Sequence, residues 1–163
     1  MTRVYLSFGS NIDREQNIRS GLDALARRFG QVLLSPVYES EAVGFDGEPF
    51  LNLVAAIDTD LTVGELSEVL RAIEASHGRV RGEKKFSSRT LDIDILTYGE
   101  ASGLVEGVEL PRDEILKHAF VLRPLADLAP EATHPVLGKR YAELLAERDF
   151  SAQQLWQVPF LWP

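Results

Sequence analysis

The 163-residue chain has no cysteine, one methionine and three histidines. Disulfides, thiolate nucleophiles and cysteine-based zinc sites are therefore excluded, and His77, His118 and His134 do not stand at metal-ligand spacing. Any metal has to be held by carboxylates. Positive charge is also scarce: 17 Lys and Arg face 25 Asp and Glu, for a net charge of -8. With a pI near 4.9, nucleic acid is not an expected partner, because phosphate-backbone recognition leaves a broad basic footprint. Long apolar runs are missing too, and Met1-Thr2-Arg3 leads straight into Val4-Tyr5-Leu6, which reads as a strand rather than a signal peptide. No membrane partner is expected, and the expected location is cytoplasmic.

What is present is enough for one core. Hydrophobic residues make up 45% of the chain, and the length fits a single domain over residues 1–163. Val4, Leu6 and Phe8 alternate with Arg3, Tyr5 and Ser7 at the period of a half-buried strand. From Asp13 to Phe29, Ile18, Leu22, Leu25 and Phe29 recur at helical spacing, and Gly30 stands where a C-terminal cap belongs. Residues 31–41 and 50–58 read as an antiparallel strand pair joined by a loop with Gly44, Asp46-Gly47 and Pro49. Thr62-Val63-Gly64-Glu65 is a capping box, followed by a helix with Leu66, Val69, Leu70 and Ile73 on one face. A strand is expected over residues 90–98. The order strand, helix, strand, strand, helix, strand predicts an α+β fold, a ferredoxin-like βαββαβ core with a mainly antiparallel sheet. Short helices after Leu110, punctuated by Pro111, Pro124, Pro130 and Pro135, are expected to cover the other face and give a three-layer α/β/α sandwich. The C-terminal tail, with Trp156, Phe160 and Trp162, is apolar but aperiodic, so it is expected to dock as coil or to contact a neighbour.

The chemistry concentrates in RVRGEKKFSSRTLDIDIL, residues 79–96. Arg79, Arg81, Lys84, Lys85 and Arg89 meet a single acid, Glu83, so a chain that is acidic overall carries one local anion site. Strand alternation places Asp92 and Asp94 on one face and Leu91, Ile93 and Ile95 on the other. Alternate residues have Cα atoms about 6.5–7 Å apart, close enough for two inward-leaning carboxylates to share metals about 4 Å apart. Two hard carboxylates beside flexible guanidinium groups suit a Mg²⁺-polyphosphate. The same pair also has a plainer reading, as ion pairs with Arg89 or Arg81 at a sheet edge, and the cationic loop has one as a solvated face. No Gly-x-x-x-x-Gly-Lys-[Ser/Thr] occurs, so a P-loop is excluded. Phe50 and Asn52 share a strand face, an aromatic platform beside a carboxamide that suits a flat heterocycle, or a core phenylalanine with a turn-facing asparagine. Glu74 follows the second helix near the loop hinge, where an exposed helix glutamate is the default.

Five segments together resemble the 6-hydroxymethyl-7,8-dihydropterin pyrophosphokinase family of folate biosynthesis: YLSFGSNI, FLNLVAAI, IEASHGRVR, SRTLDIDIL and AFVLRPLADLAP. The resemblance implies Mg²⁺-dependent transfer of pyrophosphate from ATP to the hydroxymethyl group of the dihydropterin, with release of AMP. It also implies two Mg²⁺ ions held by Asp92 and Asp94, with Arg79 and Arg89 catalytic beside them. ATP would be bound by Glu74, Arg79, Arg81, Lys85, Arg89 and Arg112. The pterin would lie between Phe50 and Phe120, bonded by Asn52 and by backbone groups near Ser40 and Val43.

Three places depart from the family pattern. Lys85-Phe86-Ser87-Ser88 stands where the family usually has Arg-Trp-Gly-Pro, replacing a bidentate fork by a point charge and a large aromatic by a smaller one. Arg112-Asp113 replaces His-Pro or His-Tyr, with Asp113 expected to add an opposing charge. His118 replaces an arginine and is expected to give a weaker phosphate contact. Competing readings are a paralogue acting on another pterin-like alcohol, a binding protein without turnover, and a ferredoxin-like interaction module.

Overall fold

The computed structural model describes residues 1–42, 47–79 and 88–163. Strand β1 (Thr2–Ser10) leads into helix α1 (Arg14–Phe29), then β2 (Leu33–Leu34), β3 (Val37–Ser40), β4 (Phe50–Thr59) and helix α2 (Val63–Ser76). β5 (Asp92–Tyr98), the hairpin β6 (Gly103–Val105) and β7 (Val108–Leu110), helices α3 (Glu114–Lys117), α4 (Ala119–Leu128) and α5 (Tyr141–Glu147), and β8 (Leu155–Val158) follow. The main sheet runs β5-β1-β4-β3-β8, with β2 also on β4, and every pairing is antiparallel. This is the expected ferredoxin-like core.

Side-chain alternation divides the apolar residues between two layers. Val4, Leu6, Phe8, Leu51, Leu53, Ile57, Ile93 and Ile95 pack with α1 and α2 on one face. Val54 and Leu96 pack with Ile115, Leu122, Leu125, Tyr141 and Leu144 of α3, α4 and α5 on the other, which completes the three layers. The capping box forms: Thr62 Oγ1 accepts from the Glu65 N–H at 3.2 Å and Glu65 Oε1 from the Thr62 N–H at 2.9 Å. It satisfies two donors that the first turn of α2 would leave open.

Four details differ from the sequence expectation. The run over residues 31–41 is two short strands broken at Ser35-Pro36, because Pro36 has no N–H for the ladder. Beside the break, Ser35 Oγ accepts the Val54 N–H at 2.9 Å. β5 begins at Asp92 rather than at residue 90, and Leu96 is an extra residue in it, since Tyr5 pairs with Thr97 while Leu6 pairs with Ile95. The bulge turns Leu96 into the α4 layer and lets Tyr98 rejoin the α1/α2 layer. The hairpin β6–β7 has no counterpart in the expectation; its turn at Glu106-Gly107 has φ of 47° and 84°, a conformation a glutamate does not advertise. Finally, the tail docks at home and partly as a strand. β8 pairs with β3, the Trp156 indole donates to Glu39 at 2.9 Å, the Trp162 indole to Asp23 at 2.8 Å, and Arg19 lies over the Phe160 ring.

One glycine links this packing to the start of β5. Gly21 is in the interior of α1, where glycine costs about 1 kcal/mol relative to alanine, and a Cβ there would lie 2.8 Å from Leu91 Cδ2 and 3.4 Å from Phe8 Cε2. Leu91, fully buried, is the residue immediately before Asp92, so α1 can approach the start of β5 only without a side chain at this point. Gly21→Val is expected to cost about 1–3 kcal/mol through overpacking, read as a lower urea midpoint with an unchanged m-value.

Candidate active site

The sheet face toward α4 carries a row of aligned residues. Gly9 is paired on one side with Asp92 of β5 and on the other with Asn52 of β4, and Asn52 is paired in turn with Tyr38 of β3. Neighbouring strands lie about 4.8 Å apart, so Asp92 and Asn52 face each other across the bare backbone of one glycine. A Cβ at position 9 would meet Asn52 Oδ1 at 3.5 Å and Phe50 Cδ1 at 3.8 Å. Its absence keeps the floor between the carboxylate and the carboxamide flat. Asn52 is buried, and its Nδ2 donates to Ser40 Oγ at 2.7 Å, which turns Oδ1 toward that floor. Ser40, expected from the resemblance to offer backbone groups to the pterin, meets Asn52 here through its side chain.

Asp92 and Asp94 project from this face, with side chains 31% and 13% exposed, and each meets guanidinium groups. Arg79 Nε is 3.7 Å from Asp92 Oδ1, while Arg71 Nη1 and Arg112 Nη1 are 3.8 and 3.9 Å from Asp94 Oδ1. Burial works against the charge of Arg112, but Asp94, Glu114 and Asp92 together hold its pKa above the ordinary arginine value. It stays a cation. Asp113 does not oppose it as expected, because the Asp113 carboxylate is taken by Lys117 at 2.8 Å; the acid bonded to Arg112 is Glu114.

Glu74 is 1% exposed rather than a surface glutamate. Its Oε2 accepts from the Ile93 N–H at 2.7 Å, and its main-chain oxygen accepts from the Arg79 N–H at 3.0 Å. One residue thus anchors both β5 and the first arginine of the cationic segment. Arg89 is buried and held from the other side: the Asn11 N–H donates to the Arg89 carbonyl at 3.0 Å and Asn11 Oδ1 accepts from the Arg89 N–H at 2.7 Å. Ser10 Oγ bonds the Thr90 carbonyl at 2.6 Å. His118 is stacked on Phe120, centroids 4.7 Å apart and planes 18° apart, so it backs that ring at the start of α4. Phe50, half-buried, shares the α4 face with Asn52.

The structure therefore brings together Arg79, Arg89, Arg112, Glu74, Asp92 and Asp94 on one side of Gly9 and Asn52, Ser40 and Phe50 on the other. Val43, Arg81 and Lys85 lie outside the described residues, as do Lys84, Phe86 and Ser87. Asn11 and Arg71 also reach the site, through Arg89 and Asp94, and no sequence pattern singles them out. No group of three or more His, Asp or Glu side chains is placed to hold a metal among the described residues. Two carboxylates with open positions suit Mg²⁺, which keeps waters and takes substrate phosphates as further ligands. Asn11→Ala leaves the buried Arg89 N–H without its acceptor and removes donors to the Glu48 carbonyl and Ser88 Oγ. It is expected to cost about 1–3 kcal/mol, measured by urea denaturation.

Residues 5–130 match the family model described as 7,8-dihydro-6-hydroxymethylpterin-pyrophosphokinase. The chain is 41% identical to a 2-amino-4-hydroxy-6-hydroxymethyldihydropteridine pyrophosphokinase of Pseudomonas aeruginosa, over 91% of this chain and 93% of that one. It is 40% identical to the protein of the same name from Methylorubrum extorquens, over 91% and 95%. Among solved structures, the Plasmodium falciparum HPPK-DHPS crystallised with pterin and p-hydroxybenzoate superposes with a TM-score of 0.70 at 15% identity. The match covers 90% of this chain and 43% of that longer one, and it shows the shared fold.

Proposed function

We infer how this site divides its work from one premise: the chain belongs to the 7,8-dihydro-6-hydroxymethylpterin-pyrophosphokinase family. It is the diphosphotransferase of folate biosynthesis that moves pyrophosphate from ATP to the hydroxymethyl group of 6-hydroxymethyl-7,8-dihydropterin and releases AMP. The observation that carries the assignment of residues is the row Asp92, Gly9, Asn52, because it sets a carboxylate and a heterocycle-reading carboxamide on a flat floor two strands apart.

On this reading the pterin lies over Gly9 beside Phe50, with Asn52 Oδ1 accepting from its amino edge and Phe120 covering the other face of the ring. Ser40 locks the carboxamide so that no rotation has to be frozen on binding, and His118 holds the Phe120 ring by stacking. Backbone groups near Val43 belong to the same pocket on the strength of the family resemblance. Asp92 and Asp94 hold Mg²⁺, two ions being the proposed number; bound Mg²⁺ neutralises the triphosphate and polarises its phosphoryl oxygens. Arg79, Arg89 and Arg112 face the phosphates, with Arg81 and Lys85 assigned to the same role from the resemblance. Charge that develops on the bridging oxygen to the leaving AMP is met by guanidinium groups already positioned by Glu74 and Asn11. Phosphoryl transfer needs little more from a protein than such positioning and charge neutralisation. The whole of residues 1–163 acts as one domain in this reading, in the cytoplasm, where ATP is at hand.

A coupled assay for AMP, run with ATP and Mg²⁺ in the presence and absence of 6-hydroxymethyl-7,8-dihydropterin, tests it. Pterin-dependent AMP is expected, and its absence at any enzyme concentration overturns the assignment. Asp92→Ala and Asp94→Ala are each expected to lower kcat by at least about a hundredfold while circular dichroism shows a normal fold; near-normal turnover in either variant removes it from the metal site. Phe120→Ala is expected to weaken pterin binding by about 1 kcal/mol or more, with nucleotide affinity unchanged by calorimetry. Equal pterin affinity would reject the sandwich.

A further inference from the structure

β5 is the end strand of the sheet order, and its pairing with β1 places Phe8 opposite Ile93, between the pairs Gly9–Asp92 and Ser7–Asp94. Ile93 is thus the residue between the two carboxylates, and its main-chain N–H and C=O point away from β1. Both are captured by side chains three residues apart on α2. Glu74 Oε2 accepts from the Ile93 N–H at 2.7 Å, and Arg71 Nη2 donates to the Ile93 carbonyl. Arg71 Nε is also 3.2 Å from Glu74 Oε1, and its Nη1 reaches within 3.8 Å of Asp94 Oδ1.

We propose that Arg71 is a positioning residue of the metal strand: with Glu74 it supplies at Ile93 the hydrogen bonds a neighbouring strand would supply, and so sets the spacing and aim of Asp92 and Asp94. The proposal rests on the assignment of those two aspartates as divalent-ion ligands. Arg71 has two effects on that site, and they have opposite sign. As a cation near Asp94 it competes with an incoming metal, so its loss would tighten metal binding. As a clamp on Ile93 it pre-organises both ligands, so its loss would weaken metal binding. The charge effect is the smaller of the two, because the Arg71 side chain is about one-third exposed and water screens it. Of the two side chains at Ile93, only Arg71 can donate to its carbonyl, since the Glu74 carboxylate only accepts.

The test is a Mn²⁺ titration of the intact protein with a non-hydrolysable ATP analogue, read by paramagnetic resonance of the free ion, so that no turnover enters. Arg71→Met is expected to weaken Mn²⁺ binding by about tenfold, as loss of a residue that orients a metal ligand does, and to speed hydrogen exchange of the Ile93 amide. Arg71→Lys keeps the charge and one donor, and is expected to restore Mn²⁺ affinity to within about threefold of the parent. Asp94→Asn is the reference variant. If it weakens Mn²⁺ binding while Arg71→Met leaves binding unchanged or makes it tighter, the role given to Arg71 is overturned. If Asp94→Asn leaves Mn²⁺ binding unchanged, the metal assignment itself fails, and the proposal with it.

Discussion

The hydrogen bond from the Ile93 N–H to the buried Glu74 carboxylate is the contact on which the rest of the site hangs. It joins the last turns of α2 to the end strand of the sheet at the residue between two exposed-side carboxylates. The same glutamate, through its carbonyl, starts the cationic segment by holding the Arg79 N–H. A buried carboxylate is costly unless paired and hydrogen-bonded, and Glu74 has both a main-chain N–H and the Arg71 guanidinium around it. Through this single residue β5, Arg79 and α2 are registered to one another.

The two faces of the sheet divide stability from chemistry. Toward α1 and α2 the strands present an unbroken apolar set, with Phe8, Leu53 and Ile93 side by side across three strands. One residue along, the same strands present Gly9, Asn52 and Asp92 to the other face. Because side chains alternate with period two, any one-residue slip would exchange the two sets, so the core that stabilises the fold also holds the register of the site. The end of β1 contributes again through Ser10 and Asn11, which bond the main chain at Arg89 and Thr90. The chain before β5 is thereby fixed by side chains where the ladder has not yet begun.

Two of the three departures from the family pattern, at Arg112-Asp113 and at His118, are accommodated by local pairing. Asp113 is neutralised by Lys117 one turn away, which leaves Arg112 to bond Glu114 and face Asp94. Arg112 thereby keeps a positive charge beside Asp94. His118, in the place of an arginine, forms a ring stack with Phe120.

Much of this protein is determined by the sequence alone. Period-two and helical patterns mark β1, α1, β4 and α2, the capping box marks where α2 starts, and alternation puts Asp92 and Asp94 on one face; such signals are local, and local sterics and hydrogen bonding are enough to set them. The segments shared with the family are legible for the same reason, since RTLDIDIL with an upstream GRVR places two carboxylates and a run of cations within eighteen residues. Other features depend on partners distant in the chain. Leu96 as a bulge, the tail as a strand on β3, Glu74 as a buried anchor of Ile93 and Asn11 as the keeper of Arg89 have no local signature. Each is a residue whose role is set by what lies opposite it, 78 residues away in the case of Asn11 and Arg89. Only the tertiary structure decides these, because a hydrogen bond or a packed contact across the sheet is a property of two places in the chain brought together, and neither place records the other.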